Sequence, residues 1–210
     1  TTYVPDDNFE QALIDLDYDD ELDDYVLTAN ISGVTSLDVN GKEISDLTGI
    51  EDFTALTDLQ CNDNQLTTLD VSSNTALTTL NCSNNQLTSL DVSANTDLGN
   101  LHAHDNSLTS LDLTNNAELH SLYIAVNNLT SLDLSNNTAL QNFSCYNNQL
   151  TSLDVSNNIA LTYFQPHGNL LTSIDLSSNT ALTRMNISNN QLTYLNMKNG
   201  LTDQIDDFNA

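Results

Sequence analysis

The sequence predicts a solenoid of short stacked coils, with a parallel β-sheet along one face, short extended or turn segments on the other, and a helical cap at the N-terminus. Three observations carry that expectation. Leucine recurs every 21 residues at Leu56, Leu77, Leu98, Leu119, Leu140, Leu161 and Leu182, and again at Leu66, Leu87, Leu108, Leu129, Leu150, Leu171 and Leu192. Asparagine follows the same period in two further columns. Residues 1–33 lack the period and carry helix signals instead. A coil this short cannot bury its own apolar edge, so it stacks on its neighbours, and self-similarity at a fixed spacing marks that architecture.

In the cap, Asp6 or Asp7 after Pro5 can cap a helix whose Phe9, Ala12, Leu13 and Leu16 share one face. Leu22, Tyr25 and Val26 predict a second short helix. Between them lies DLDYDDELDD, which contributes Asp15, Asp17, Asp19, Asp20, Glu21, Asp23 and Asp24. Its start imitates a calcium loop, but Asp20 stands where that turn needs Gly and Val26 where the bidentate Glu belongs. The plain reading is a solvated acidic cap, and the sharper one is a calcium site.

Residues 34–200 form the array, about eight coils. Each unit divides into a 10-residue half such as LTTLNCSNNQ (77–86) and an 11-residue half such as LTSLDVSNNIA (150–160). The first half places Leu56, Leu59, Cys61, Asn64 and Leu66 at the spacing LxxLxLxxNxL. In the second half Ala76 takes the closing position and Leu77 follows one residue late, so the strand is assigned to the first half. Alternation along that strand sends Leu59 and Cys61 inward and turns Gln60 and Asn62 to solvent.

These motifs resemble the leucine-rich repeat, in the short nested form of bacterial surface proteins. The unit at 34–55, with its ISDLTGI, resembles the first repeats of internalin-like proteins, and the opening VPDDNFEQALIDL resembles the cap of repeat proteins secreted by Bacteroidota. The resemblance implies a secreted protein, extracellular or at the cell surface, in which further sequence and an export or sorting signal usually follow the repeats. At residues 201–210 the columns decay. Asn196 replaces the Asp, Gly200 replaces the Asn, and TDQIDDFNA offers little to cover Leu192, Leu195 and Met197. The expectation is a truncated tail, or self-association through an open C-terminal edge.

Equivalent positions become spatial columns. One runs Asn64, Asn85, Asn106, Asn127, Asn148, Asn169 and Asn190, and the other Asn74, Asn95, Asn116, Asn137, Asn158 and Asn179. An amide carries donors and acceptors, so it can satisfy backbone groups at a bend, or pair with the amide stacked on it. A third column, Asp70, Asp91, Asp112, Asp133, Asp154 and Asp175, has no basic residue near it in sequence. Unit charges at the roughly 4.8 Å spacing of stacked strands repel by about 1 kcal/mol in water and about 3 to 4 kcal/mol at an effective dielectric near 20. Either donated hydrogen bonds from amides and Ser or Thr hydroxyls offset that repulsion, or a bound cation such as calcium does. Cys61, Cys82 and Cys145 fall in one inward column and read as free core thiols.

The outward strand positions vary, and a ligand would be read there. His102, His104, Tyr123, Tyr146, Tyr163, Gln165 and His167 collect in the central coils. Rings and amides on a flat sheet suit sugar faces, hydroxyls or a protein epitope. A metal at His102, His104 and Asp105 is disfavoured, because outward neighbours on one strand stand about 7 Å apart.

Composition excludes other classes. With 29 acidic against 3 basic residues (Lys42, Arg184, Lys198) and a net charge of -26, the chain has no clustered cations for nucleic acid. Its apolar runs are too short for membrane insertion. It contains no GxSxG, HExxH or phosphate-cradling glycine loop, and only 6 glycines, so no enzyme is expected. What remains is a non-catalytic recognition module for protein or glycan, or else a structural spacer or adhesin stalk without a ligand of its own.

Overall fold

A computed structural model describes residues 1–200 and the strand Asp207–Asn209. Each coil contributes one three-residue strand: β3 (Ser36–Asp38), β4 (Asp58–Gln60), β5 (Thr79–Asn81), β6 (Asn100–His102), β7 (Ser121–Tyr123), β8 (Asn142–Ser144), β9 (Tyr163–Gln165) and β11 (Arg184–Asn186). With β13 (Asp207–Asn209) they form one parallel sheet in the order β13-β11-β9-β8-β7-β6-β5-β4-β3. The register is one repeat per strand: Leu59 lies opposite Leu80, Leu80 opposite Leu101, and Leu101 opposite Leu122. In the second halves Asp70 and Asp91 form a parallel bridge, and β10 (Ser173–Asp175) pairs in parallel with β12 (Tyr194–Asn196). The chain is a leucine-rich repeat solenoid.

The leucine columns build a continuous core, in which Leu56 to Leu182 and Leu66 to Leu171 of the two 21-residue series are fully buried. Leu192 is only partly buried. Phe143 and Phe164 replace leucine on adjacent strands and stack with ring centroids 5.7 Å apart. Cys61, Cys82 and Cys145 are buried free thiols. Burial pushes their pKa up, that of Cys82 to about 12, which keeps them protonated and unreactive at neutral pH.

The cap holds helix α1 (Asp7–Asp15), started by Asp6, whose Oδ1 accepts the amides of Asn8 and Phe9. Its Oδ2 accepts the amides of Ser45 and Asp46 and the Ser45 hydroxyl, so one carboxylate ties the helix to the first coil. Burial would raise the pKa of Asp6, but these bonds outweigh it and hold the group below the usual carboxylate range. Phe9 faces Phe53 of the array at 6.4 Å between centroids. Gly49, at φ 105°, passes so close that a Cβ there would lie 2.9 Å from the Tyr3 carbonyl oxygen.

Two expectations are corrected. Tyr25 and Val26 are not helical: strand β2 (Tyr25–Val26) pairs antiparallel with β1 (Thr2–Tyr3), and the second helix is the single turn α2 (Thr28–Ile31). Leu16 is exposed, because α1 ends at Asp15 and Leu16 turns out of its buried face. After β11 the main sheet continues with β13 in the register Arg184 to Asp207, while Leu192 and Met197 are only partly buried and Leu195 is exposed. Most of the 201–210 tail lies outside the described residues.

Candidate partner-binding face

The outward strand residues stand between rows of stacked neighbours, so they are half-buried rather than freely exposed. His102 and Tyr123 occupy equivalent positions on β6 and β7 and meet edge to face, with centroids 4.7 Å apart at 62°. Tyr146 and His167, two residues past the ends of β8 and β9, stack at 4.6 Å and 13°. The 21-residue step brings each pair together. His104 Nδ1 lies 2.8 Å from Asp105 Oδ2.

Between the two ring pairs lies a recess of about 250 Å³, lined by Tyr123, Tyr146 and Tyr163, by His104 and Asp105, and by Ala125 and Ser144. Ala125 and Ser144 are each 2 % exposed. These two small residues replace larger outward side chains of neighbouring coils and give the recess its depth. Gln165 is also nearly buried, and His102 and His167 lie outside the recess lining.

At His102 and His167 the surroundings favour the neutral imidazole. Burial, and then the neighbouring His104, lowers the pKa of His102, and burial lowers that of His167. His167 Nδ1 is buried without a hydrogen-bond partner among the described residues. No group of three or more His, Cys, Asp or Glu side chains among the described residues is arranged to hold a metal ion.

Sequence reasoning missed a feature of the same coil. The residue after each outward pair takes a left-handed conformation: Asp63, Asn84, Asp105, Asn147 and Asn189 have φ between 53° and 56°, and Gly168 has 67°. These residue types tolerate that region. Val126, at φ 54°, does not. Tabulating this column beside the leucines would have exposed the exception, which sits next to Ala125 in the recess.

The structural ladders flank the face. In the first column each amide spans two coils: Asn127 Oδ1 accepts the Leu108 amide at 2.9 Å, while its Nδ2 donates to the carbonyls of Ala103, Ile124 and Ala125. Asn64, Asn85, Asn106, Asn148, Asn169 and Asn190 repeat the arrangement. The bonds of this column run to backbone, so the expected option of amide pairing with amide is corrected: the unpaired groups of the bend are stronger claimants. On the opposite side, Asp70, Asp91, Asp112 and Asp175 are held below the usual carboxylate range by the hydroxyl and then the amide of the residue two positions on. At Asp133 and Asp154 the amide contributes first and the hydroxyl second.

Comparison with known proteins agrees with the solenoid class. No family model matches the chain. It is similar to internalin J of Listeria monocytogenes, 39% identical over 72 residues; that stretch is 34% of this chain and 8% of the relative's length. Among solved structures, internalin C2 of L. monocytogenes superposes with a TM-score of 0.82 at 23% identity, covering 98% of this chain and 92% of that one. Internalin F gives 0.71 at 24%, covering 92% and 69%. A leucine-rich repeat protein of Leptospira interrogans gives 0.78 at 22%, covering 87% and 50%. These likenesses establish the fold, and the sequence match likens about a third of the chain to a small part of internalin J.

Proposed function

We propose that this chain is a non-catalytic recognition module, acting outside the cell or at its surface, that binds a protein or polysaccharide through the outward strand face of its central coils. The observation that carries the reading is the recess between the His102–Tyr123 and Tyr146–His167 ring pairs. Rigid tyrosines there offer contact area at little conformational cost. The leucine-rich repeat fold is commonly used for protein binding or adhesion, and likeness to internalins supports the extracellular placement. His102, His104, Tyr123, Tyr146, Tyr163, Gln165 and His167 supply the contacts in this reading.

A second reading, a spacer or adhesin stalk, is favoured by the ladders, which repeat regardless of what the strand face carries. A protein and polysaccharide array separates the two. The wild-type chain is expected to bind at least one class of probe, and a Tyr123→Ala, Tyr146→Ala, His167→Ala variant to bind it about tenfold more weakly or worse. Unchanged binding in the variant, or no binding by the wild type, leaves the spacer.

A further inference from the structure

The acidic cap contains two carboxylate oxygens that the fold buries and does not satisfy. Glu10, on α1, is fully buried. Its Oε1 accepts the amides of Asp23 and Tyr25, each at 3.0 Å, which aims the carboxylate into the loop of residues 16–24. Its Oε2 has no partner among the described residues, and neither does the buried Oδ2 of Asp19 in that loop. Burial raises the pKa of Asp19 against a lowering hydrogen bond from the Asp20 amide, and Glu10 is the first of the neighbouring charges that raise it further, followed by Asp20 and Asp23. The ammonium of Lys42 is 3.0 Å from Asp15, at the end of α1, and does not compensate them.

An ionised carboxylate shut away from water needs a counter-charge or a proton. We propose that the Glu10–Asp19 pair is a site for a hard divalent cation of the calcium kind. Hard oxygen donors select such ions, and residues 10–25 contain no His or Cys to favour a softer metal. Among the described residues no group of three or more acidic, His or Cys side chains is arranged to hold an ion, so main-chain carbonyls and water would complete the shell around the pair. A shell so rich in neutral oxygen binds weakly, with Kd on the order of 10⁻⁴ to 10⁻³ M. Bound there, the ion fastens the acidic loop to α1 and makes cap stability depend on the cation. The site is independent of the strand face, and its failure would leave the recognition reading standing.

The test is thermal melting at neutral pH, after EDTA and then in millimolar calcium chloride, beside titration with terbium, whose emission tyrosine sensitises; Tyr18 and Tyr25 lie in the same segment. Calcium is expected to raise the melting temperature and to displace sensitised terbium. Glu10→Gln keeps an oxygen for the Asp23 and Tyr25 amides but removes one of the two charges. It should lose both responses and melt in EDTA no lower than wild type. Asp19→Asn, at a half-buried loop position, should lose them too and serves if the Glu10 variant does not fold. The proposal is overturned if wild type shows neither response, or if Asp19→Asn responds as wild type does. It is equally overturned if acidification stabilises the cap while calcium does nothing, because a shared proton then holds the pair.

Discussion

The two halves of each coil use the same residue at the same period and reach different hydrogen-bonding solutions. In the first half, Asn127 closes the bend with both ends of its amide: the oxygen takes a backbone N–H and the nitrogen reaches carbonyls on two coils. In the second half, Asn137 donates to the Leu113 and Asn116 carbonyls at 3.2 and 2.8 Å, but its Oδ1 is buried with no partner, as in Asn74, Asn95, Asn116, Asn158 and Asn179. A recurring amide therefore reports backbone need, and that need is two-signed in one half and one-signed in the other. The largest effect follows. Asn127→Ala strands an N–H as well as carbonyls and should cost about 2 to 4 kcal/mol, whereas Asn137→Ala strands carbonyls alone and should cost about 1 to 2 kcal/mol. Chemical denaturation of the two variants measures the difference, and equal losses would dissolve the distinction.

A smaller effect sharpens the contrast, because positive-φ residues of the array other than glycine, among those described, lie in first halves. Val126 is the one β-branched residue there, where its neighbours in the column are Asn, Asp or Gly. Val126→Asn should stabilise the chain by about 0.5 to 1 kcal/mol, since Asn enters the left-handed region at lower cost. If Val126 also lends apolar surface to a partner beside the recess, the same substitution raises the melting midpoint while weakening binding. A gain in stability with unchanged affinity would make the strain incidental to recognition.

The solenoid was legible because its causes are periodic. Leu59, Leu80 and Leu101 stack at each coil, so one spacing read from the chain fixes the sheet, its register and the core together. The ring pairs His102–Tyr123 and Tyr146–His167 are one period apart and follow from the same arithmetic. Their recess does not, because its depth depends on what is absent at Ala125 and Ser144. The cap was misread where structure is too short to leave a pattern. A two-residue strand at Tyr25–Val26 has no period, and the burial of Glu10 depends on amides 13 and 15 residues away, which helical spacing does not reveal.

The smallest effect separates the two faces by pH. Burial holds His102 and His167 below their usual 6.5, and hydrogen bonds hold the Asp112 column below its usual 3.8. Both shifts are downward, so in both cases the unfolded chain takes up the proton first and stability falls on acidification. The strand face should therefore begin to lose stability as pH drops through 6.5, and the aspartate face only as pH drops through 3.8. Melting temperatures between pH 7 and pH 5 of wild type and of a His102→Gln, His167→Gln variant test the first step. The variant should lose less over that interval, and any contribution from Glu10 and Asp19 cancels because both chains carry it. An identical loss in the two chains would mean that the imidazoles are solvated well enough to charge freely, and that the strand face is as open to water as the aspartate ladder behind it.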